Sequence, residues 1–138
     1  MMSAMPGYSG TPLPKKLGLK PDMTLVAIGA PTEYRQWLGA APPGLRIVSN
    51  SGGQPGAVHL FATKRAALTE ELQRLRKDLA PTGFVWVSWP KKTSGVATDI
   101  TENTIREVAL PLGFVDIKVC AVSAVWSGLK LVIRKDAR

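Results

Sequence analysis

Four short apolar runs punctuate the chain: "TLVAIG" (24–29), "LRIV" (45–48), "AVHLFA" (57–62) and "FVWVSW" (84–89). Each is strand length, and each is apolar on both alternating faces, which is the pattern of a strand covered on both sides. Segments of helical period follow the first, third and fourth runs. A strand, a crossover helix and a further strand return the chain in the same direction, so this alternation predicts a parallel sheet with helices on both faces.

The helical segments carry their own punctuation. In "APTEYRQWLG" (30–39), Pro31 suits a first turn, Tyr34, Trp37 and Leu38 share a face, and Gly39 suits the stop. From Thr63 to Leu79, Leu68, Leu72, Leu75 and Leu79 form one stripe behind a cap at Thr63. Asp99 and Glu102 stand in capping-box relation ahead of Ile105, Val108, Ala109 and Leu112. That helix should stop at Gly113, with Pro111 spoiling its last turn.

The period then changes. Val115, Ile117, Val119 and Ala121 alternate with Asp116, Lys118 and Cys120, a half-buried strand with the first set facing the core. "LKLVIR" (129–134) is a second strand, and "SAVWSG" (123–128) is too short for a crossover helix, so the pair forms an antiparallel hairpin. The loop 49–56 reaches ~27 Å when extended, enough to return across the sheet without a helix. Six strands are expected, four parallel and then the hairpin. The fold class is α/β, a single-domain Rossmann-like three-layer sandwich over residues 24–138. Residues 1–23 form an N-terminal tail and surface lead-in, loose over 1–7, with at most one helical turn near Pro14 to Leu19.

A chain of 138 residues holds one such domain. No apolar run approaches the ~20 residues of a membrane helix, and "MMSAMPGYSG" has neither the basic nor the apolar region of a secretory signal. The one cysteine, Cys120, excludes an internal disulfide and a multi-cysteine metal site, so a cytoplasmic location and no metal are expected. Net charge is +8, which points to an anionic small ligand or an acidic partner. Basic residues never run to five in a row, which argues against nucleic acid as the first choice.

"LAPTGFVWVSWPK" followed by helix, strand, turn and strand resembles the C-terminal half of class I S-adenosylmethionine-dependent methyltransferases. The segments "YSGTPLPKKLGLKP", "VHLFATKRAAL", "WVSWPKKTSGVATDITE", "IREVALPLGFVDIKVCAV" and "WSGLKLVIR" resemble a small bacterial family of single-domain proteins carrying a domain of unknown function, a likeness that implies no activity. The methyltransferase resemblance implies a glycine-rich turn after the first strand and an acidic ribose-binding residue after the second. Here the first turn has Gly29 as its one glycine, and Asn50 stands where the acid is expected. An amide cannot accept two ribose hydroxyl hydrogens as a carboxylate can. The expectation is the fold without methyl transfer, and no cofactor is assigned.

The chemistry-bearing stretch is "SWPKKTSG" (88–95). It lacks the glycines of a P-loop, and Pro90 removes a backbone N–H. It offers a looser anion site: charge from Lys91 and Lys92, hydroxyls from Thr93 and Ser94, and a turn at Gly95, all at the carboxyl end of a strand where such sheets bind ligands. Trp89 and Trp126 stand at strand ends and could stack on a ring, although packing against a helix is commoner. "PLPKKLG" repeats the Pro-Lys-Lys pattern. If the lead-in crosses the carboxyl edge, Lys15 and Lys16 converge with Lys91 and Lys92. His59, the one histidine, sits within an apolar strand and reads as a neutral core residue, and no base accompanies Cys120. The leading reading is a non-catalytic binding module for an anion. A degenerate or residual methyltransferase and a nucleic-acid-binding accessory protein are the alternatives.

Overall fold

The computed structural model describes residues 10–50 and 52–138; the loose tail expected over residues 1–7 lies outside them. The strands are β1 (Thr24–Ile28), β2 (Arg46–Val48), β3 (Ala57–Phe61), β4 (Phe84–Pro90), β5 (Phe114–Ala121) and β6 (Trp126–Ile133). The helices are α1 (Leu13–Leu17), α2 (Tyr34–Leu38), α3 (Arg65–Asp78) and α4 (Glu102–Ala109). The sheet runs β2-β1-β3-β4-β6-β5, with β1 to β4 parallel and β6 antiparallel to both neighbours. This is the expected mixed α/β sheet. No helix occurs among the described residues of the 49–56 connection. From β1 the chain passes first to one side, then to the other, so the strand order reverses between β1 and β3.

Two apolar cores flank the sheet. Val58, Leu60, Val85, Val87, Leu129 and Leu131 face α3 and α4, whose Leu68, Leu72, Leu75 and Ile105 are fully buried. Leu25, Ala57, Phe61 and Trp86 face α1 and α2. The lead-in does more than wrap the surface. Leu13, Leu17 and Leu19 are buried in this second core, and the buried Trp86 indole N–H donates to the Leu17 carbonyl at 2.9 Å. Gly18 ends α1 in the left-handed region at φ 76°, with Leu19 N–H reaching back to the Pro14 carbonyl.

Three local expectations are corrected. Thr63 does not cap α3; the Asp99 carboxylate does, accepting the Arg65 N–H at 2.6 Å, while Thr63 accepts from Thr98 through its carbonyl. The capping box of α4 belongs to Thr101 and Thr104, whose side chains and backbone N–H groups bond reciprocally. Because Asp99 serves a different helix, spacing along the chain misassigned it. The third correction lies in β5, where pairing with β6 shifts between Asp116 and Lys118. The extra residue reverses the in-out alternation. Asp116, ahead of the shift, lies on the Phe114 face and pairs with Arg106 of α4 at 3.1 Å, and Ile117 and Val119 are 55% and 52% exposed on the edge strand. Pro111 acts as expected: α4 stops at Ala109, and a 3-10 turn runs from Leu110 to Leu112 before Gly113.

Candidate ligand-binding site

At the strand-order reversal, on the face that α1 and α2 cover, the chain packs its own rings. Tyr34 opens α2 and is buried. Its ring lies edge-on to His59 and Phe61 with centroids 5.1 and 5.3 Å away, His59 stacks on Phe61 at 4.2 Å, and Trp126 meets Phe61 edge-on at 5.1 Å. The Tyr34 hydroxyl lies 2.7 Å from His59 Nδ1, and His59 Nε2 lies 2.7 Å from the Ser88 hydroxyl. Burial pushes the His59 pKa down to about 3 and pushes that of the Tyr34 hydroxyl up, so these three side chains are neutral at ordinary pH. His59 and Ser88 have no exposed surface. This Tyr-His-Ser arrangement fills and orders the core and has no route to a substrate, in line with the core role expected of His59.

The two positions that the methyltransferase resemblance singles out, Gly29 and Asn50, are both closely held by the chain itself. Gly29 adopts φ 69°, and a side-chain carbon there would sit 2.9 Å from the Phe61 carbonyl oxygen. The glycine thus lets β1 leave past β3, and the approach it permits is already taken by protein. Asn50 is exposed, and its side-chain oxygen accepts the Gly52 N–H at 2.9 Å, closing a local turn. No carboxylate replaces it after β2.

The 88–95 stretch divides. Trp89 is 7% exposed and packs in the core beneath α3 and α4, because odd-numbered residues of β4 point to that side. Its ring is therefore not a stacking surface. Lys92–Ser94 form one 3-10 turn ending at Gly95 with φ 80°. Lys92, Thr93 and Gly95 are exposed, and Lys91 and Ser94 are half-buried. The Lys91 N–H donates to the Val125 carbonyl at 2.7 Å, fastening this loop to the β5–β6 turn, and the Ser94 hydroxyl accepts from Val96 N–H.

On the α1 side of the same turn lies a cleft of about 360 Å³, bounded by α1, by Gln36 to Ala40 of α2 and its exit, and by Ala121 to Ala124. A second, more open groove of about 450 Å³ shares Thr11, Lys16 and Ala121 with it and adds Lys15, Lys118 and Cys120. Lys15 and Lys16 thus line a groove with Lys118 instead of one with Lys91 and Lys92. The Lys16 ammonium donates to the Ala121 carbonyl at 3.1 Å, at the junction of the two spaces. Farther along β6, Lys130 lies over the Phe84 ring at 4.6 Å. Burial lowers its pKa, and repulsion from Lys118 and Lys20 lowers it further. Cys120 is half-buried, and its pKa is raised by burial against an opposing pull from Lys16 and Lys118. That shift makes the thiol a poor nucleophile.

Each ion pair between described residues starts from an arginine, as in Arg65–Glu107, Arg74–Asp78 and Arg106–Asp116. Lys118 was legible as the residue opposing its apolar neighbours in β5; its meeting with Lys15 and Lys16 was not, because about 100 residues separate them.

No protein-family model matches the chain, and no curated protein matches it in sequence. Solved structures do match in fold. A provisionally assigned type 11 methyltransferase from Sulfolobus solfataricus superposes with TM-score 0.59 at 12% identity, covering 89% of this chain and 90% of that one. A ribosomal protein L11 methylase from Lactobacillus delbrueckii subsp. bulgaricus gives 0.55 at 12% identity over 88% of this chain and 75% of its own. The fibrillarin pre-rRNA processing protein of Methanococcus jannaschii gives 0.53 at 12% identity, over 89% and 69%.

Proposed function

From a methyltransferase-like Rossmann fold with one glycine in its first turn and Asn50 in place of an acid after β2, we propose a non-catalytic role: the chain binds an anionic ligand along the lysine track between α1 and the β5–β6 hairpin. The observation that carries the reading is the shared groove of Lys15, Lys16 and Lys118 opening onto a 360 Å³ cleft, a size and concavity suited to a small molecule. The Lys91–Gly95 loop, fastened to the β5–β6 turn through the Val125 carbonyl, is a second, separate candidate anion contact, through Lys91, Lys92 and the backbone of Thr93 to Gly95. A residual methyltransferase is the second reading, favoured by the near-complete overlap with the Sulfolobus solfataricus protein. A thermal-shift series separates them, since a ligand of the folded state raises the melting temperature. Inorganic phosphate and organic acids should stabilise the protein and lose that effect with added salt, while S-adenosylmethionine should leave it unmoved. Stabilisation by S-adenosylmethionine alone reverses the choice.

A further inference from the structure

The two spaces beside α1 differ in chemistry. The inner cleft is walled by apolar groups, with Trp37, Leu38 and Val122 among its lining, whereas the outer groove carries Lys15, Lys16 and Lys118. Lys16 belongs to both, fixed at the junction by its bond to the Ala121 carbonyl. An inorganic anion would use the outer groove and leave the inner cleft without an occupant. A polyanion such as an oligonucleotide would follow the lysines and leave the apolar inner cleft unfilled. One kind of molecule satisfies both spaces together. Resting on the anion-binding reading above, we propose that the ligand is a small amphipathic acid, a carboxylate or phosphate monoester whose head lies among Lys15, Lys16 and Lys118 and whose apolar body enters the cleft between α1 and α2.

The lining fits that assignment. Trp37 is half-buried and lines the α2 side, and Ala121 and Ala124 line the hairpin side with small side chains. Burying a straight chain in such a cleft strengthens binding about fourfold per methylene until the space is full. The head supplies orientation and salt dependence.

Calorimetry with acetate, hexanoate, decanoate, decyl phosphate, decanol and inorganic phosphate tests it. Affinity should climb from acetate to decanoate, decanol should bind far more weakly than decanoate, and the two decyl anions should rank by head-group chemistry. Ala124→Trp, at an exposed position on the cleft rim, should erase the dependence on chain length and leave inorganic phosphate unaffected. Lys118→Glu should weaken every anion. If Ala124→Trp fails to fold, Ala40→Phe fills the cleft from its other rim. Equal affinity for acetate and decanoate overturns the amphipathic ligand and leaves the anion reading standing. Decanol binding as tightly as decanoate overturns the acidic head. Salt-sensitive binding of an oligonucleotide without any response to decanoate overturns the inference in favour of nucleic acid. Silence from every anion overturns both readings.

Discussion

Acidification should destabilise this fold through one residue. His59 is the sequence's single histidine, and burial holds its folded pKa at about 3. In the unfolded chain it returns to about 6.5. Between those values the unfolded state binds a proton that the folded state refuses. The contribution is complete above the unfolded pKa and is lost as pH falls. At about pH 5 the difference between the two binding curves amounts to about 2 kcal/mol relative to about pH 7.5. For a domain of this size that is a drop of about 6–10 °C in melting temperature. Carboxylates begin to titrate below that window, so the measurement should stop there.

Urea unfolding at several pH values between those limits gives the slope, and it should correspond to uptake of nearly one proton at the acid end. His59→Gln should be less stable than the parent and nearly flat across the same range. A parent protein whose stability does not change, or a His59 resonance that titrates near its ordinary value in the folded protein, would refute the buried neutral histidine.

Other outcomes follow from the same geometry. Tyr34→Phe removes the hydroxyl 2.7 Å from His59 Nδ1 and leaves a buried ring nitrogen without a partner, costing about 1–3 kcal/mol in denaturant unfolding. Gly128→Val should overpack the core by about 1–3 kcal/mol, because a side-chain carbon added at Gly128 would stand 3.2 Å from both Trp86 and Val122. Trp86→Phe should cost at least about 1 kcal/mol, read as a lower urea midpoint, through loss of the indole bond to Leu17 and of buried volume. The double variant Lys91→Ala and Lys92→Ala should stay within about 0.5 kcal/mol of the parent. Its phosphate affinity, followed by calorimetry, should fall if the Lys91–Gly95 loop takes part in binding.

Local pattern carried the architecture. Apolar runs such as "AVHLFA" and "FVWVSW" can hide both faces only inside a covered sheet, and the leucine stripe of α3 has one face to bury, so strand number, helix placement and the terminal hairpin follow from residue order. His59 was readable as a core residue for the same reason. Caps and edges were less legible. Spacing ties Asp99 to the helix that follows it, whereas its carboxylate caps α3, and the register shift in β5 depends on pairing with β6, which no alternation within β5 reveals.

The candidate site was decided by tertiary structure. "PLPKK" and "DIKVC" are each unremarkable surface stretches. They become a groove because Leu13 and Leu17 must bury against the sheet and because Gly128 lets Trp86 reach across to the Leu17 carbonyl, bringing α1 beside β5. The same packing sets Tyr34 edge-on to His59 and Phe61, inside the core that α1 and α2 cover. A residue's charge and period are properties of the chain. Which distant charges share a surface, and which rings pack together, depend on contacts that exist only once the two cores have closed.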